Sequence, residues 1–81
     1  MPTEVRLHDV VALTEDAEAT HLLTHQPLRL RRGQIGTVVM QLDNDHFQVE
    51  FADRGGRAYA MVPVSAGRLM VLREQPEALP V

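Results

Sequence analysis

The most restrictive feature of this sequence is the alternation in His46-Phe47-Gln48-Val49-Glu50-Phe51-Ala52, which sets Phe47, Val49 and Phe51 on one face and Gln48 and Glu50 on the other. A period of two belongs to a β-strand with one wet side, and a helix cannot gather those three side chains onto one narrow stripe. Just upstream, Ile35-Gly36-Thr37-Val38-Val39-Met40-Gln41-Leu42 is β-branched and apolar on both faces, the pattern of a more deeply buried strand. Between them, Asp43-Asn44-Asp45 tolerates left-handed backbone and accepts local hydrogen bonds. The two segments are therefore expected to form a hairpin.

A second hairpin is expected to follow. Asp53-Arg54-Gly55-Gly56 is a turn signal, because paired glycines reach positive φ at little cost. Arg57 to Val62 reads as a strand ended by Pro63, which has no N–H for a ladder. Val64 to Arg68 is too short for a stable helix and is expected to make one turn of 3₁₀ type. Leu69-Met70-Val71-Leu72 is a last short strand, and residues 75–81, with two prolines and no periodicity, form a flexible tail.

The N-terminal third is less regular. Leu7 to Leu13 reads as a first strand, followed by a long connection from Thr14 to Arg32. Thr14-Glu15-Asp16-Ala17-Glu18 resembles a capped helix start, and any helix there must stop by Gln26, ahead of Pro27. A single helical turn and a long ordered loop are both compatible with the pattern. Leu22, Leu23, Leu28 and Leu30 indicate that the segment packs onto the sheet.

With 81 residues and no cysteine, the chain is one domain (residues 1–74 plus the tail), without disulfides, thiolate metal sites or a cysteine nucleophile. Five short antiparallel strands, a long first loop, tight hairpins and a helical turn before the last strand are the plan of a small all-β, SH3-like barrel. The expected core is Val11, Leu13, Ile35, Val39, Phe47, Val49, Phe51, Tyr59, Met61, Leu69 and Val71. The N-terminus shows no basic stretch followed by an apolar run, and no apolar stretch is long enough to span a bilayer, so a cytoplasmic location is expected.

Three blocks carry a family resemblance: Asp9-Val10-Val11-Ala12-Leu13; Arg32-Gly33-Gln34-Ile35-Gly36-Thr37-Val38-Val39; and Phe47-Gln48-Val49-Glu50-Phe51 with the later Gly56-Arg57-Ala58-Tyr59-Ala60. Together they resemble a small bacterial family, domain of unknown function 4926, of SH3-like barrel proteins, from about Leu7 to Leu72. The departure is a longer first loop, in which His21 to Gln26 has no counterpart in the pattern. The resemblance implies the fold and no biochemical activity. The wider SH3-like group holds the β-subunit and activator domains of nitrile hydratase and the KOW modules of ribosome- and polymerase-associated proteins, and these are analogies of fold alone.

Each chemically suggestive residue has a plainer reading. Gly33 and Gly36 bracket a KOW-like turn, but glycines there also serve positive φ or a bend in a strand, and that reading is favoured. Arg29, Arg31 and Arg32 are the one basic cluster and would suit phosphate. However, the net charge is −3 and aromatic residues are scarce, so nucleic acid is disfavoured against pairing with Glu15, Asp16 or Glu18. His21 and His25 would share a helix face as metal ligands, but no glutamate sits at the spacing of a zincin motif, and a third ligand (His8, His46 or an acid) must come from elsewhere. Asp43, Asp45 and Asp53 fall in turns, where aspartate caps backbone amides, and the lone Ser65 is not in a nucleophile elbow.

No enzyme activity, cofactor or metal is expected. Tyr59, Met61 and Met70 are the candidate contact residues, since tyrosine and methionine are common at interfaces, although all three would also serve a core. The expected function is a non-catalytic protein-interaction module of a bacterial protein. It would act through a protein partner or by self-association as a dimer, as the small partner or neutraliser (antitoxin or immunity type) of a larger protein. The alternatives are a KOW-like RNA-binding module using Arg29, Arg31 and Arg32, or a supporting subunit like the nitrile hydratase β-subunit.

Overall fold

The computed structural model describes residues 3–81. Among the described residues, seven strands run in chain order: β1 (Val10–Leu13), β2 (Ala17–Thr20), β3 (Pro27–Leu30), β4 (Ile35–Gln41), β5 (His46–Ala52), β6 (Ala58–Ser65) and β7 (Leu69–Val71), with a 3₁₀ turn at Ala66–Arg68 before the last. Five of them form an antiparallel sheet in the order β6-β5-β4-β1-β7, and β2 and β3 pair as a separate two-stranded sheet. The ladder does not close on itself: β6 and β7 are its two edges.

The alternation of β5 becomes the core directly. Phe47, Val49 and Phe51 are fully buried, facing Val11, Leu13 and Val38 from β1 and β4 and Ala60 and Val64 from β6. Burial of large apolar side chains is the main favourable term in folding a chain of this size. Val5 and Leu30 complete the core, and Leu69 enters from β7.

Several expectations are corrected. The Thr14–Arg32 connection is neither helix nor loop but a hairpin whose inner face, Ala17, Ala19, Leu28 and Leu30, packs on the main core. The tip, His21 to Gln26, is closed by local bonds: His21 Nδ1 accepts the amides of Leu23 and Thr24, and His25 takes φ 63°. Pro63 does not end its strand, because β6 lies at the sheet edge, where a missing N–H leaves no ladder bond unmade. β6 therefore continues to Ser65 and carries Val64 into the core.

The expected core is also shifted by one residue on β4. Val38 is buried while Ile35 is exposed and Val39 half-exposed, because Gly36 and Val38 share the inner face and a bulge falls between Val38 and Met40. Tyr59 and Met61 are half-buried rather than interior. Gly33, with φ 88°, makes the left-handed turn into β4 and donates its N–H to the Leu13 carbonyl at 2.7 Å.

The β4–β5 turn is held by one side chain. Asp43 Oδ1 accepts the amides of Asp45 and His46, each at 2.8 Å, and lies 3.0 Å from His46 Nδ1. An ionised carboxylate only accepts, so that ring nitrogen carries the hydrogen. The Asp45 amide above all, then the His46 side chain, hold the Asp43 carboxyl below its ordinary value of 3.8. A carboxyl depressed in the folded state stabilises it above the unfolded pKa, and the contribution fades as pH falls through the folded value. Acidification below 3.8 is therefore expected to loosen this turn. The protection factors of the Asp45 and His46 amides, taken against their intrinsic exchange rates, should fall there in the native chain, whereas in Asp43→Ala they should already be low at neutral pH.

Candidate functional site

The outward face of the main sheet is where the apolar pattern exceeds what the core uses. With Val11 and Leu13 turned inward, Val10 and Ala12 face out. Ala12 lies opposite Ile35 on one side and Met70 on the other, so the three form a row across β4, β1 and β7. In the next row the Leu72 amide bonds the Val10 carbonyl at 2.9 Å, and Val10 faces Thr37, which faces Glu50 and then Met61. Exposure is 56% at Ile35, 55% at Met70, 46% at Val10 and 36% at Leu72, with Ala12 as the floor between them. Single exposed apolar residues are ordinary, but a contiguous group on one sheet face is the composition of a contact surface.

Of the residues singled out from the sequence, Met70 is central to this face and Met61 lies at the far end of its second row. Tyr59 behaves differently. The β5–β6 register skips at this point, so Tyr59 is the extra residue of a bulge, which re-aims its side chain. Its carbonyl accepts the Leu22 amide at 2.9 Å, and its hydroxyl is bonded by the Gln34 side-chain amide. Tyr59 thus ties the hairpin tip and the β4 entry turn to β6. Val10, Ile35 and Leu72 were missed as contact residues. The signal that could have found them is the parity of β1, since a strand with Val11 and Leu13 inside must show Val10 outside.

The arginines are gathered elsewhere, around the base of the hairpin. Asp16 Oδ1 accepts the Arg32 amide at 2.8 Å and lies 4.0 Å from Arg31 Nε. Arg29 stands opposite Glu18 in the β2–β3 ladder. Arg68, which the sequence did not single out, donates through Nη2 to the Asp16 carbonyl at 2.8 Å. Its Nε lies 2.7 Å from Glu15 Oε1, a close charge contact without hydrogen-bond geometry. These are exposed pairs, each worth about 0–1 kcal/mol. Beside them is a shallow depression of about 460 Å³, open to solvent and lined by Glu18, Ala19, Thr20, Pro27, Leu28 and Arg29. Its two charged residues, Glu18 and Arg29, stand opposite one another in the β2–β3 ladder.

His21 and His25 lie in the hairpin tip instead of on one helix face, and His21 Nδ1 is engaged by backbone amides. Among the described residues, no group of three His, Cys, Asp or Glu side chains converges as metal ligands. Among those residues, too, no helix is long and apolar enough to cross a membrane.

By its architecture the molecule is an all-β protein of antiparallel sheets, whose distinctive surface is an apolar sheet face. The chain belongs to the family described as domain of unknown function DUF4926, whose model matches residues 7–71. The match spans the main sheet and the inserted hairpin together. No curated protein and no solved structure matches the chain.

Proposed function

We propose that this protein is a non-catalytic interaction module of SH3-like type, acting through the outward face of its main sheet on a protein partner in the bacterial cytoplasm. The observation that carries this reading is the contiguous exposed group Val10, Ile35, Met70 and Leu72. The SH3-like assignment is supported by the sheet order, with the last strand beside the first, the hairpin inserted after β1 and the 3₁₀ turn ahead of β7. A small acidic chain that presents an apolar face suits the role of small partner or neutraliser of a larger protein.

The RNA-binding reading has less support, because Arg29 stands opposite Glu18, Arg31 lies 4.0 Å from Asp16, and the chain carries a net charge of −3. The supporting-subunit reading of nitrile hydratase type rests on no observation beyond the fold.

The test is capture from native lysate with a tagged chain, comparing the unaltered protein with Ile35→Lys/Met70→Lys. Both substitutions fall on exposed positions, and circular dichroism should show an unchanged fold. The unaltered chain is expected to recover a stoichiometric protein that survives nuclease, and the double variant to lose it by tenfold or more. Equal capture by the two chains, or recovery only of nuclease-sensitive RNA, would overturn the reading.

A further inference from the structure

We infer that the occupant of the outward face is an amphipathic helix of the partner protein with a basic residue beside its apolar stripe, and that Glu50 is the residue that selects it. This rests on the reading of that face as a contact surface and deepens it, by naming the chemistry of the partner.

Glu50 is isolated among uncharged residues. Among the described residues, Glu18 and Glu50 are the acids placed within strands. Glu18 stands opposite Arg29 in its ladder, whereas Glu50 stands between Thr37 of β4 and Met61 of β6. Its outward neighbours along β5 are Gln48 and Ala52, and Ile35 and Pro63 lie diagonal to it on the flanking strands. None of these is charged. The ion pairs among the described residues join Arg31 to Asp16, His46 to Asp43, Arg68 to Glu15 and Arg73 to Glu4, and the Glu50 carboxylate enters none of them.

Glu50 is also half-buried, so a layer laid over the face would take away the water that still solvates it. A carboxylate removed from water without a cation is strongly disfavoured, and a second carboxylate beside it would add repulsion. A wholly apolar or acidic covering is therefore rejected and one that carries a cation is accepted, which is how a single charge on an apolar face confers specificity.

The width of the face fits one helix. β5, β4 and β1 each have a strand on both sides, so their outward surface offers side chains and no free ladder groups. The exposed apolar residues Val10, Ile35, Met70 and Leu72 belong to β4, β1 and the end of β7, a span of two strand spacings or about 10 Å. A helix with its side chains is about 10–12 Å across. Laid along β1, it sets its apolar stripe on those residues, and its flank passes toward β5 and Glu50. An arginine or lysine on that flank can rest its methylene stem on Ile35 and bring its charge to the carboxylate.

The probes are two alanine-based peptides of about 20 residues, long enough to be helical, each with leucine at helical spacing along one stripe. One carries lysine beside the stripe and the other glutamate at the same positions. Each is titrated into the isotope-labelled full chain, with the amide shifts of Ala12, Thr37 and Glu50 followed by NMR. The unaltered chain is expected to bind the lysine peptide about tenfold more tightly than the glutamate peptide. Glu50→Gln, which keeps the side-chain shape, is expected to weaken the lysine peptide about fivefold. Glu77→Gln removes the same charge from the exposed tail and is expected to change it by less than about twofold. Glu50→Lys is expected to reverse the preference between the peptides.

Equal binding of the two peptides by the unaltered chain overturns the assignment, as does a loss in Glu77→Gln as large as that in Glu50→Gln. Binding of neither peptide overturns the helical occupant. The capture experiment with Ile35→Lys/Met70→Lys is decided separately: a partner lost in that double variant, together with peptides indifferent to Glu50, leaves the contact face standing and removes its selection by charge.

Discussion

Phe51→Ala is expected to cost about 3–5 kcal/mol, because it removes a fully buried aromatic ring from the centre of the sheet and leaves a cavity that β1 and β4 cannot collapse to fill. A domain of this size has a total stability of about 5–15 kcal/mol, so the variant should keep only a thin margin or none. The melting midpoint is expected to fall by about 15–30 °C, since each kcal/mol moves a small domain by about 4–8 °C. Urea unfolding followed by circular dichroism checks it, with Val10→Ala on the outward face as a control expected to stay within about 0.5 kcal/mol. A loss below about 1 kcal/mol at Phe51 would contradict the placement of that ring at the core.

The second large effect comes from adding a single methyl group. A Cβ at Gly36 would stand 2.7 Å from Val49 Cγ1, 2.9 Å from Phe51 Cε1 and 3.0 Å from the Glu50 carbonyl oxygen. Two of these are inward core side chains and the third is ladder backbone, so none can yield cheaply. Alanine is ordinarily better than glycine inside a strand by about 0.5–1 kcal/mol. Here overpacking should reverse the sign and leave Gly36→Ala about 1–3 kcal/mol less stable. The effect should also depend on its neighbour: in a Phe51→Ala background one of the clashes is gone, and the cost of Gly36→Ala should shrink. A double-mutant cycle in urea measures that coupling, and strict additivity would show that Gly36 and Phe51 do not share the crowded space.

Gly36 also illustrates how the two kinds of glycine argument separate. The sequence suggested that Gly33 and Gly36 both serve positive φ or a bend in the strand, and only Gly33 does. Gly33 needs its positive φ, a local property recognisable beside a strand start. Gly36 has ordinary strand backbone and is small because Val49 and Phe51 from the neighbouring strand lie over it, a fact held by the packing of β4 on β5.

The hairpin from Ala17 to Leu30 shows the limit from the other side. Its alternation is present in Ala17-Glu18-Ala19-Thr20 and Leu28-Arg29-Leu30, but alanine and glutamate are weak strand formers, and the acids after Thr14 imitate a helix start. The turn lacks glycine altogether, and His25 adopts the left-handed conformation in its place. Burial of Ala17, Ala19, Leu28 and Leu30 against the main core decides the matter, and a local propensity of a few tenths of a kcal/mol cannot compete with it.

The candidate contact face was legible only in pieces. Met70 was identifiable from its residue type, but the row Ile35, Ala12 and Met70 draws on three strands distant in the chain, and its existence depends on β1 lying between β4 and β7. Likewise Arg68 joins Asp16 and Glu15 across the fold, a link that no spacing announces.

What the chain determined by itself is therefore the set of properties carried by short-range pattern: strands at β4, β5, β6 and β7, their turns, an all-β class and the inward side of β5. These follow because a period of two and the conformational reach of Asp, Asn and Gly act within a few residues. What only the tertiary structure decided is which strands neighbour one another, that the hairpin is a hairpin, and which apolar residues are left over on the outside. The last of these follows once the sheet has chosen its inner face, because a strand of alternating parity that buries one set of side chains must expose the other.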